Sequence, residues 1–187
     1  YLSVCEDPFS LEDLAKRIRS SSNFRFEWQF YHFNGIDPRS PLGIRKALDS
    51  IIGGSDLHRF LQTSFDAMYD DSFEIEALHQ HCRMVSGTDE FENVLASAAG
   101  DRLGAYSRDL RDSNAREKEA IRQLFGGAGS YFAYQLLPGE ASDCAECRHH
   151  NNHLFTTWFY GVAWDWCLFA SWPDRKLLWM GCLTDTD

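Results

Sequence analysis

The sequence predicts an α+β fold, a helical layer packed on an antiparallel β-sheet, and three features point to it. The stretch FRFEWQFYHF, beginning at position 24, alternates apolar and polar side chains with period two. From Pro41 to about Phe125 the apolar residues instead recur every three or four positions, as on one face of a helix. After Gly129 the period returns to two, and Pro-Gly and Pro-Asp separate the apolar runs. The expected sheet is therefore built mainly from the C-terminal third plus a strand near 24–33. With 187 residues, 44% of them apolar and 14% aromatic, the chain is large enough for one domain, 1–187, with a real hydrophobic core.

Each element has its own signal. Ser10, read as an N-cap, precedes Leu11, Leu14, Ala15 and Ile18 at helical spacing, and the polar run Ser20-Ser21-Ser22-Asn23 ends that helix. In the following strand Phe24, Phe26, Trp28 and Phe30 share one side and Arg25, Glu27 and Gln29 the other, until Asn34-Gly35 breaks it. The central region carries three helical stripes: Leu57, Phe60, Leu61, Phe65 and Met68; Phe73, Ala77, Leu78, His81, Cys82 and Val85; and Phe91, Val94, Leu95 and Ala98. Gly53-Gly54, Gly87 and Gly126-Gly127 read as the helix ends. SYFAYQLL is then a strand stopped by Pro138-Gly139, and DCAECRHHNNH a loop. In LFTTWFYGVAWDWCLFASW, Trp158, Tyr160, Val162, Trp164, Trp166, Leu168, Ala170 and Trp172 form one apolar face, and KLLWMGCL returns as its hairpin partner after Pro173-Asp174.

Charge narrows the function. Asp and Glu number 28 against 18 Lys and Arg, a formal charge of −10, which repels nucleic acid and anionic membranes and favours a basic protein partner. No stretch approaches the roughly 18 to 20 apolar residues that a membrane span needs. Six cysteines (Cys5, Cys82, Cys144, Cys147, Cys167 and Cys182) are diluted over a chain too large to need disulfide staples, so reduced thiols and a cytoplasmic location are expected.

Catalytic and metal motifs are weak. Cys144 and Cys147 have the two-residue spacing that grips a tetrahedral ion, and His150 and His153 could complete it, but four ligands in ten residues match no common zinc arrangement. No metal and no cofactor are expected, and a zinc-binding enzyme or regulator organised around those four residues is the alternative. On a helix, His79 and His81 lie about 200° apart and cannot share an ion. There is no Gly-x-Ser-x-Gly elbow, GGAGS lacks the Lys of a phosphate loop, and the His-x-Glu of a zinc deaminase is missing, so no catalytic residue is assigned. Strand alternation places Asp165 with Gly161, Ala163, Cys167 and Phe169, where a carboxylate needs a partner, either within the fold or on a bound protein.

The C-terminal stretch TTWFYGVAWDWCLFASWPDRKLLWMGCLTDTD resembles the final hairpin of bacterial immunity proteins, the small cytosolic inhibitors encoded beside polymorphic or type VI secretion toxins. The resemblance rests on the Gly-Val-Ala-Trp-Asp-Trp strand, the Pro-Asp turn and the terminal Thr-Asp-Thr-Asp, and covers this hairpin alone. It implies a non-enzymatic protein that binds a cognate toxin encoded by an adjacent gene, with a nuclease as first choice, and blocks its active site or substrate groove. On that reading Asp70, Asp71 and Glu74, together with Asp165, Asp174 and Asp185, are the expected toxin contacts; homodimer formation is left open.

Overall fold

A computed structural model of the chain describes residues 1–20, 24–52, 82–100, 115–138 and 164–185. Among these are six strands and four helices. In chain order they are β1 (Leu2–Cys5), α1 (Glu12–Ser20), β2 (Phe24–Phe33), α2 (Pro41–Ile52), β3 (Cys82–Ser86), α3 (Thr88–Ala99), α4 (Ala115–Leu124), β4 (Phe132–Pro138), β5 (Trp164–Trp172) and β6 (Leu177–Asp185). The strands form a single sheet in the order β1-β2-β6-β5-β4-β3, antiparallel at every step.

Strand alternation sorts the core into two layers. Phe26 and Phe30 of β2, Leu168, Ala170 and Trp172 of β5, and Leu177, Trp179 and Leu183 of β6 pack on one face under α1, α3 and α4. Those helices contribute Leu14, Ala15, Ile18, Phe91, Val94, Leu95 and Ile121. The opposite face, with Tyr31, Tyr134, Cys167, Phe169, Leu178, Met180 and Cys182, lies under Ile44, Ala47, Leu48 and Ile51 of α2. A sheet covered on both sides explains why β5 and β6 read as nearly unbroken apolar runs. For β2 the expected half-burial gives way at Tyr31 and Phe33, which α2 covers.

The expected helix over 41–125 is corrected at Cys82–Ser86. That segment is the edge strand β3, with Met84 opposite Leu136 and Val85 opposite Gln135 of β4. Only Cys82 and Val85 of the supposed stripe fall in it, and pairing with β4 outweighs so short a helical pattern. Gly87 accordingly lies between β3 and α3, preceding a helix instead of ending one. The stripes drawn through Leu57–Met68 and Phe73–His81 lie outside the described residues.

Helix ends follow side-chain chemistry, with one exchange of roles. Asp7 accepts the backbone N–H of Phe9 at 2.8 Å and of Leu11 at 2.6 Å, so it organises the entry to α1 in place of Ser10, which adopts a left-handed backbone at φ 56°. Ser40 caps α2: its Oγ accepts the Gly43 N–H at 3.1 Å, and Pro41 occupies the first helical position. Gly126 and Gly127, at φ 103° and 94°, terminate α4 and donate to the carbonyls of Gln123 and Arg122. At Gly43 the helix approaches the backbone so closely that a Cβ would lie 1.5 Å from the Asp37 carbonyl oxygen. Gly43→Ala is therefore expected to cost about 3 kcal/mol despite alanine's better helix propensity, a loss to be read from urea denaturation midpoints.

The 34–40 segment is tied down across β4 and β5. The Pro38 carbonyl accepts the Tyr134 hydroxyl at 2.9 Å and the Ser171 hydroxyl at 2.8 Å, all three residues being buried. Burial, reinforced by the Asp37 carboxylate, pushes the Tyr134 phenol up to about 12. A phenol whose folded value lies above its unfolded value of about 10 contributes stability that is complete below pH 10 and lost as pH rises toward 12. Tyr134→Phe should lower stability at pH 7 by about 1 kcal/mol and should weaken the dependence on pH between those limits, as measured by denaturation at a series of alkaline pH values.

Candidate interaction surface

The turn between β5 and β6 is built on a rigid aromatic base. Trp172 donates its indole N–H to the Phe125 carbonyl at 3.0 Å and stacks on Phe9 at 4.7 Å between ring centres. Phe125 lies nearly parallel to the same indole, 5.9 Å away. From the turn Pro173–Arg175, the Arg175 guanidinium sits 4.9 Å over the Phe9 ring, and Lys176 closes the turn in a left-handed conformation at φ 50°. Such a base holds the turn in one shape, which limits the ordering cost of any contact made there.

The expected contact Asp174 stands at this turn with its side chain 98% exposed. Cations stand beside it. Arg39 Nη2 lies 3.9 Å from its carboxylate, and Arg175 and Lys176 follow it in sequence, both exposed. These three cations offset the negative field that the Asp174 carboxylate would present to a basic partner.

Two of the other expected contacts are not beside it. Asp165 and Asp185 occupy the far end of the hairpin, where Asp165 pairs with Thr184 and Trp164 with Asp185. Seven residues of β5, Trp166–Trp172, separate Asp165 from the turn that carries Asp174, about 25 Å at the usual rise, so the backbone does not gather the three into one patch. Side chains at 165 and 185, and all of Asp70, Asp71 and Glu74, lie outside the described residues. The same is true of Cys144, Cys147, His150 and His153. Among the described residues no group of three or more His, Cys, Asp and Glu side chains is placed to hold a metal ion.

An unanticipated polar cluster joins α3, α4 and the start of β4. Glu92, 1% exposed, accepts from Arg122 Nε at 3.0 Å and Nη2 at 2.6 Å, while the Tyr131 hydroxyl donates to it at 2.8 Å. Burial and the Glu92 carboxylate hold the Tyr131 phenol protonated well above its ordinary range. Nearby, the Lys118 ammonium binds Asp89 and holds its carboxyl below the usual value. Glu92 follows Asp89 and Glu90 in the first turns of α3, so in sequence it resembles an ordinary acidic helix start. Its one distinguishing signal is its place between Phe91 and Val94, on the margin of the apolar stripe.

The distribution of charge is uneven along the chain. The described residues carry 15 acidic and 13 basic side chains, a nearly balanced framework. Segment 53–81, between α2 and β3, carries six acidic side chains (Asp56, Asp66, Asp70, Asp71, Glu74 and Glu76) against the single Arg59. It accounts for half of the formal −10.

Scanned against protein-family models, the chain matches none, and a search among curated proteins returns no significant match. No helix among the described residues is long and apolar enough to cross a membrane.

Proposed function

We propose that the chain is a non-enzymatic immunity protein that binds a cognate basic toxin, a nuclease by preference, and blocks its active site or substrate groove. The observation that carries this reading is the charge asymmetry: an almost balanced framework holding one segment, 53–81, with six carboxylates and one arginine. A concentrated negative segment suits the basic groove with which a nuclease holds its substrate, and it accelerates encounter with such a surface. The likeness of the C-terminal hairpin to immunity proteins points the same way. Asp70, Asp71 and Glu74 are the contacts assigned the largest share of steering, and Asp174 is assigned little because Arg39, Arg175 and Lys176 accompany it.

Co-purification with the product of the adjacent gene tests the reading. A stoichiometric complex that abolishes the neighbour's activity is expected; no complex at micromolar concentration contradicts the proposal. Within the complex, D70K/D71K/E74K should slow association at low salt by about tenfold to a hundredfold with a smaller change in dissociation. Asp174→Lys should change the association rate by less than about twofold. Stopped-flow or surface-based kinetics at two salt concentrations separates these outcomes.

A further inference from the structure

Cys167 of β5 and Cys182 of β6 are direct register partners in neighbouring central strands, both buried on the α2 face of the sheet. Directly opposed residues of an antiparallel pair have Cα atoms about 4.5 to 5.5 Å apart, inside the roughly 4.4 to 6.8 Å that a disulfide spans. No other described cysteine has this arrangement: Cys5 lies opposite Phe30, and Cys82 opposite Pro138. The two strands are joined only by the turn Pro173–Lys176, so the pairing belongs to a local hairpin.

We infer that Cys167 and Cys182 are a redox site, closing to a cross-strand disulfide when the chain folds in the presence of a small-molecule disulfide such as oxidised glutathione. Timing is the physical basis. A hairpin forms in about 1 to 10 μs, well before disulfide exchange, and its register sets the two thiols opposite one another in every chain that meets the oxidant before α2 has closed over them. One cysteine, as thiolate, attacks glutathione disulfide and releases one glutathione. The second attacks the resulting mixed disulfide and releases the other, so two protons and two electrons leave the cysteine pair and two reduced glutathiones are formed. Once α2 covers the bond it is sealed from reductant, whereas a chain folded under reducing conditions buries the same pair as inert thiols. The oxidation state thus records the compartment in which folding took place.

The test is to refold the denatured, reduced full chain in a glutathione redox buffer and, in parallel, in dithiothreitol, then alkylate and map peptides by mass spectrometry. After oxidative refolding a 167–182 link two mass units below the dithiol is expected in most molecules, with a higher melting temperature than the reduced form. C144A/C147A, which removes the closely spaced competing pair, should retain the link. Alkylation of both Cys167 and Cys182 after oxidative refolding of the wild type, or their pairing with other cysteines, would overturn the inference. Because the decisive map is made on the wild-type chain, a variant that fails to fold does not affect the result.

Discussion

Gly181→Ala is expected to destabilise the protein by about 3 kcal/mol, near the upper end of overpacking effects, and to lower its melting temperature by roughly 6 to 12 °C for a chain of this size. A Cβ at position 181 would lie 2.2 Å from Trp179 Cη2 and 2.4 Å from Cζ2, since residues two apart on a strand share a face and the indole lies flat over the glycine. The indole cannot retreat. Trp179 is fully buried, with Phe91 and Phe125 edge-on to it at 5.6 and 5.3 Å and Phe26 at 6.2 Å. In a Trp179→Leu background the added methyl should cost much less, because the conflict is with the indole; thermal unfolding of the four proteins in that cycle measures the coupling. Equal penalties in both backgrounds would place the strain elsewhere.

Arg122→Met should lower stability by more than the loss of an exposed ion pair would. The substitution keeps most of the aliphatic stem but removes both guanidinium bonds to Glu92, leaving a carboxylate that is 1% exposed with Tyr131 as its remaining hydrogen-bond donor. Arg122 itself is 31% exposed on its side chain, so water moderates the loss. Adding Glu92→Gln should recover part of it, because the stranded charge is then gone. The cycle is read by urea denaturation, with hydrogen exchange in α4 showing whether that helix loosens first.

The sheet's central strands were legible because their signals are local: β2 alternates, β5 presents Trp166, Leu168, Ala170 and Trp172 on one face, and Pro173-Asp174 marks the turn. Less legible was what depends on partners distant in sequence. β3 is five residues long, and it is a strand because β4, some fifty residues later, pairs with it. β1 is shorter still and is fixed by β2. Likewise the sequence reads Ser10 as the cap from its place before the apolar stripe, and the structure gives that role to Asp7 through its bonds to two backbone N–H groups. The candidate site was legible mainly as composition. Acidity could be counted residue by residue, but the placing of Arg39 beside Asp174 required the 34–40 segment to be pinned beneath β4 and β5 through Pro38. Nor could the burial of Glu92 be read from a sequence in which its partners Arg122 and Tyr131 are 30 and 39 residues away.

The central claim, that acidic charge concentrated in one segment binds a basic toxin, is tested most directly by the salt dependence of association with the adjacent gene's product. The account predicts a tight complex whose association rate falls steeply between about 50 and 500 mM salt, as screening shortens to a few ångströms, with D70K/D71K/E74K abolishing most of that slope. Absence of binding, or a rate indifferent to both salt and the triple reversal, would contradict it.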